Sequence, residues 1–125
     1  MALQSIRSDK LSPPVGPFSP AVRVDGFLFL SGQVGLDAGG TLVGGGVERQ
    51  AEQIFANLAA VLEAAGNSFA DVVRVGVFLT DMADFAALNA VYAGHFAEPY
   101  PARTTVAVAA LPLGAAVEID MVVKA

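Results

Sequence analysis

The stretch from Val47 to Ala65 most constrains the fold. Val47, Ala51, Ile54, Phe55, Leu58, Val61, Leu62 and Ala65 recur at the spacing of one helix face, while Glu48, Glu52, Asn57 and Glu63 fall away from it. Gly66 supplies the stop. A long helix with one apolar stripe needs a surface to lie on, and the flanking segments are patterned to provide a sheet. Upstream, AVRVDGFLFLSGQ reads as two short strands around Asp25-Gly26, the dipeptide favoured by tight type I′ turns. Downstream, Val73, Val75, Val77 and Leu79 alternate with Arg74, Gly76, Phe78 and Thr80, which implies a β-α-β unit. Asp81 is positioned to cap a second helix with apolar positions Phe85, Leu88, Tyr92 and Phe96, ended by Pro99 and Pro101. The last third, RTTVAVAALPLGAAVEIDMVVK, reads as two alternating strands about a Leu-Pro-Leu-Gly turn, a closing antiparallel hairpin. The predicted order β-β-α-β-α-β-β is an α+β layer with both helices on one side of the sheet, and the other face needs cover. No repeat or linker divides the 125 residues, so one domain over 1–125 is expected, with the glycines of Gly35 to Gly46 forming a loop inside it.

Composition bears on that uncovered face. Hydrophobic residues make up 54% of the chain and charged residues 15%, against about a quarter charged in ordinary soluble domains. One small core does not absorb that excess, and self-association is expected; the alternative is a monomer whose surface is rich in Ala and Gly. Lys and Arg total 7 against 12 Asp and Glu, a formal charge of −5, which gives no footprint for a polyanion and argues against nucleic acid as a partner. The absence of cysteine removes disulfides, thiolate metal sites and cysteine nucleophiles. The charge-free run from Thr104 to Val117 is too short and too broken by Pro112 and Gly114 to span a membrane, and MALQSIRSDK lacks an apolar signal core. A soluble, cytoplasmic protein is the expectation.

Few side chains are left to carry chemistry. Arg103 opens a strand directly after Pro101 and Ala102, where its planar fork of donors suits a carboxylate; a surface arginine paired with a local acid is equally compatible with the sequence. Glu118 interrupts the apolar run AAVEIDMVV, and alternation puts it with Asp120 and Val122, opposite Val117, Ile119, Met121 and Val123. A closing turn centred between Pro112 and Leu113 would turn Arg103, Thr105 and Glu118 to one face, whereas a one-residue slip would separate them. A solvated strand face remains the plainer reading of Glu118. The lone histidine, His95, is expected at solvent or near the helix end rather than as a base or ligand. No HExxH or histidine pair occurs, so a metal site is not expected. GGTLVGGG lacks the Lys-Ser/Thr of a P-loop and the spacing of a dinucleotide fingerprint.

Five segments together resemble one family: GPFSPAV (16–22), LSGQVGLD (30–37), DMADFAALNAVYAGHF (81–96), PARTTVAVAALP (101–112) and VEID (117–120). In order and spacing they are similar to the RidA family, also called YjgF or L-PSP, over nearly the whole chain. The resemblance implies a chorismate-mutase-like fold, a mixed sheet with two helices on one face, assembled as a homotrimer whose sites lie in clefts between subunits.

It further implies that Arg103 holds a substrate carboxylate and that Ser31 and Glu118 line the cleft with Asn89 and Phe85. A backbone tie for Asn89 and core packing for Phe85 are the alternative readings. Two departures stand out. Phe18 occupies the position of a usual tyrosine and lacks its hydroxyl. Thr105 replaces a frequent cysteine, although the family contact there is the backbone carbonyl, which threonine retains. The implied reaction is hydrolysis of small 2-imino acids to 2-keto acids and ammonia without a cofactor, Arg103 orienting the substrate and Glu118, with Ser31, holding the water. Two other functions stay open: the endoribonuclease or translation-inhibitor activity ascribed to some relatives, and a non-catalytic carboxylate-binding or chaperone-like module.

Overall fold

A computed structural model describes residues 2–125. Six strands form one sheet in the order β1-β2-β3-β6-β4-β5. In chain order these are β1 (Gln4–Ile6), β2 (Ala21–Val24), β3 (Phe27–Gln33), β4 (Val72–Leu79), β5 (Ala102–Ala107) and β6 (Val117–Lys124). Helix α1 (Gly46–Ala65) connects β3 to β4 and α2 (Phe85–Tyr92) connects β4 to β5. The expected hairpin is present: β2 and β3 pair antiparallel, with Asp25 at φ 49° and Gly26 at φ 78°, both left-handed as a type I′ turn requires. Gly66 ends α1 in the left-handed conformation, its N–H donating to the carbonyls of Glu63 and Leu62.

The core lies between the sheet and the helices. Leu28, Leu30, Val75, Val77, Ile119 and Met121 meet Ile54, Phe55, Leu58 and Val61 of α1 and Leu88 of α2. Each such burial contributes about 1.5–3 kcal/mol relative to an exposed side chain. The opposite face has no helix, and there Phe27, Phe29 and Val106 remain exposed beside Arg74 and Asp120. Both helices therefore pack on one face of a mixed sheet, as expected.

The closing hairpin is not present. β5 pairs parallel with β4, while β6 lies antiparallel between β3 and β4, so β5 and β6 are not neighbours. The reason lies in burial: Val117, Ile119, Met121 and Val123 are wholly buried, which suits the centre of the sheet, whereas β5 is mostly exposed and takes the edge. Residues 108–116 form a connection with a 3-10 turn at Pro112–Gly114 rather than a tight turn. The short edge strand β1 went unpredicted, having only three residues of pattern.

Three smaller expectations are also corrected. Helix α2 ends at Tyr92, before Gly94 and well short of the prolines, yet Phe96 still packs on the core. His95 is half-buried and stacks on Phe55 with ring centroids 4.2 Å apart, in an aromatic cluster with Phe69 and Phe96. Asn57 is buried rather than turned to solvent: its Nδ2 donates to the Leu36 carbonyl at 2.9 Å and its Oδ1 accepts from Gln53, tying the loop after β3 to α1.

Candidate active site

The proposed site residues fall into two groups on opposite faces of the sheet. In the parallel ladder Arg103 lies opposite Val75 and Thr105 opposite Val77, and Val77 pairs with Ile119 on the helix-covered face. Glu118 pairs with Phe78 and shares the open face with Asp120. The co-facing of Arg103, Thr105 and Glu118 expected from a hairpin is thus overturned, because each of the two strands pairs with β4 and their alternations are out of phase there.

On the helix side, Arg103 reaches α2. Its Nη1 donates to Asn89 Oδ1 at 2.8 Å, and its Cζ lies 4.6 Å from the Tyr92 ring centroid and 5.6 Å from that of Phe85. Phe85, Asn89 and Tyr92 follow i, i+4, i+7 spacing, which brings them to one stripe of the helix. No carboxylate stands within ion-pairing distance of Arg103 among the described residues, where Lys10–Glu63 is the ion pair found. The surface ion pair considered from sequence is therefore not formed. The Thr105 hydroxyl is buried without a hydrogen-bond partner.

On the other side, Phe18, Ser31 and Glu118 line a cleft of about 390 Å³ whose apolar walls include Leu11, Val15 and Leu113. The Ser31 hydroxyl donates to the Ser19 carbonyl at 2.6 Å, leaving its lone pairs to accept from a ligand or water. Gly32 leaves room for the Glu118 carboxyl: a Cβ there would stand 2.7 Å from Glu118 Oε2, so a side chain at this position would displace the carboxyl. Burial, reinforced by the charge of Asp120, pushes the Glu118 carboxyl above its ordinary pKa. Such a carboxyl is suited to exchanging protons with a reacting group. Among the described residues no three His, Asp or Glu side chains gather into a metal-binding group.

Sequence reasoning missed the walls at Leu11, Val15 and Leu113, whose loops carry no periodic signal, and it missed Gly32's role beside Glu118. It also read Tyr92 as core alone, although its spacing from Asn89 was there to be seen.

Comparison with known proteins bears on the family and the fold. The family model described as Endoribonuclease L-PSP matches residues 9–125. Protein DfrA of Myxococcus xanthus is 50% identical over 98% of this chain and 95% of its own. The 2-iminobutanoate/2-iminopropanoate deaminase of Mus musculus is 46% identical over 94% of this chain and 87% of its own. The crystal structure of RidA from the Antarctic bacterium Psychrobacter sp. superposes with a TM-score of 0.93 at 47% identity, covering 98% of this chain and 99% of that one. The chain belongs to the endoribonuclease L-PSP family, the RidA/YjgF family.

Proposed function

We propose that this protein is a cytoplasmic deaminase, a single domain over residues 1–125, that hydrolyses small 2-imino acids to 2-keto acids and ammonia. The observation that carries the reading is Arg103: a half-buried guanidinium held by an amide oxygen and two aromatic faces, with no acid to neutralise it among the described residues. A cation so held is ready for a carboxylate from outside. Deaminase-named relatives at 43–46% identity support the same reaction.

In this reading Arg103 takes the substrate carboxylate and Phe85 and Phe18 form the walls. Asn89 steadies the guanidinium, and the Thr105 carbonyl steadies the imine nitrogen. With the imine protonated on nitrogen, Glu118 takes a proton from water as the water oxygen bonds to the imine carbon and the C=N π pair moves to nitrogen, while Ser31 accepts a hydrogen bond from the hydroxyl that remains. Glu118 then returns its proton to the amine nitrogen, the C–N bond breaks with its pair on nitrogen, and the hydroxyl proton passes to water as the C=O forms, which releases ammonia and the 2-keto acid. An iminium carbon is already electrophilic, so positioning with modest acid–base help suffices.

Because Arg103 and Glu118 stand on opposite faces of one sheet, the site draws them from two copies of the chain. A homotrimer closed over the open face would join them and bury Phe27 and Phe29. The family description also carries an endoribonuclease name. The distribution of charge does not favour it here: the net charge is −5, Lys10 is paired with Glu63, and Arg74 and Arg103 lie on opposite faces, so these three do not join into a basic groove for a single strand.

The test is Arg103→Ala and Arg103→Lys. Loss of a charged clamp in a partly desolvated cleft is expected to lower imine hydrolysis at least about a hundredfold, and Lys, lacking the planar fork, is expected not to rescue it. The melting temperature is expected to stay within a few degrees of wild type. Full activity in Arg103→Ala, or its unfolding, would refute the site.

A further inference from the structure

What fixes Arg103 is neutral. Asn89 Oδ1 takes one hydrogen of Nη1, and the rest of the contact is with the Tyr92 and Phe85 rings. The two rings differ. Phe85 is 36% exposed at the start of α2, while Tyr92 is 8% exposed and wedged between Phe55 and Phe96, at centroid distances of 6.0 and 4.6 Å. Phe85 has solvent to move into; Tyr92 does not. The Tyr92 hydroxyl is buried with no hydrogen-bond partner. Its contact with Arg103 is through the ring face and not through the oxygen. Burial also pushes its phenol pKa up, against the pull of Arg103, which keeps the ring neutral.

We propose that Tyr92 is a positioning residue whose ring face holds the Arg103 guanidinium ready for a carboxylate. The proposal rests on the reading of Arg103 as a carboxylate clamp. A free arginine side chain loses rotamer freedom when it binds, and a platform that orders it beforehand removes that cost from the binding step. A π face does this without competing for the N–H fork, as an acidic partner would. Asn89 occupies one donor and leaves the others open.

The experiment compares Tyr92→Phe, Tyr92→Leu and Tyr92→Met. The Arg103 Nε–H signal in nitrogen–proton spectra, assigned by its loss in Arg103→Lys, is expected upfield under the ring current in wild type and in Tyr92→Phe. In the two ring-free variants it is expected near the position of free arginine. Affinity for 2-oxobutanoate and KM for imine are expected to weaken about tenfold in Tyr92→Leu while kcat moves less than about threefold, the pattern of lost uniform binding. Tyr92→Phe is expected to restore both. Tyr92→Met is read in the same way should the Leu variant lose its fold. A folded ring-free variant with unmoved signal and unchanged affinity overturns the proposal, as does a Phe variant as weak as Leu. If wild type neither binds 2-oxobutanoate nor hydrolyses imines, the deaminase reading fails, and the Arg103 signal alone decides whether Tyr92 holds the guanidinium.

Discussion

Glu118 carries its carboxyl at a half-buried strand position where ionisation is opposed by burial and by Asp120. A pKa raised on folding means that the folded state prefers the protonated form. The resulting stability is fully present below the unfolded pKa and is lost as pH rises through the raised folded pKa. At neutral pH the ionised Glu118 therefore costs stability. Glu118→Gln, neutral and nearly the same shape, is expected to raise the melting temperature at neutral pH, with the gain vanishing as pH falls below the ordinary carboxylate range. The same change is expected to abolish imine hydrolysis, because an amide accepts no proton from water. Melts and rates measured across pH on one preparation test both; a lower melting temperature at neutral pH would show that Glu118 has a stabilising partner in the assembly. Opposite movement of stability and activity is the mark of a residue kept for chemistry.

Between elements, Gly35 sits directly against the backbone of α1. A Cβ at that glycine would stand 2.9 Å from the Gln50 carbonyl oxygen and 3.0 Å from its Cα, helix backbone that cannot yield. Gln50 in turn accepts from the Ala116 N–H at 2.8 Å, just before β6. Gly35→Ala is expected to destabilise the chain by about 1–3 kcal/mol, as overpacking does, measured by urea unfolding. An unchanged midpoint would mean that the loop after β3 is free to move off the helix. How far the sequence revealed these elements follows from what a pattern encodes. Period and turn chemistry made the β2–β3 hairpin, α1 and β4 legible, and alternation sorted β6 into a buried row and a carboxylate row. Alternation names the face of a strand and never its neighbour, so the insertion of β6 between β3 and β4 was hidden, and with it the separation of Arg103 from Glu118. The residues of the site were legible mainly through the five motifs. Their partition between two faces required the pairing.

That partition has a consequence for the whole molecule. Within one copy Arg103 faces the helices from the edge strand β5 while Glu118 faces the open side two strands away, so one chain does not present both to a common substrate. The face that carries Glu118 is also the one that leaves Phe27 and Phe29 exposed, so a second copy laying its β5 edge, which carries Arg103, across that face would cover the apolar side chains and meet Glu118 with its arginine. A trimer built this way makes each site from one chain's arginine and its neighbour's glutamate. Arg103→Ala and Glu118→Gln are each expected to be inactive alone as trimers, by light scattering at micromolar concentration. Co-expressed in equal amounts they assemble at random, and a site is intact where the arginine comes from the Gln variant and the glutamate from the Ala variant. Activity is then expected to return to about a quarter of wild type, by the statistics of a closed ring with heterologous contacts. If both residues came from the same chain, no mixture would contain an intact site. Mixed trimers without activity would therefore refute the shared site, and a wild-type monomer that still hydrolyses imines would refute the trimer.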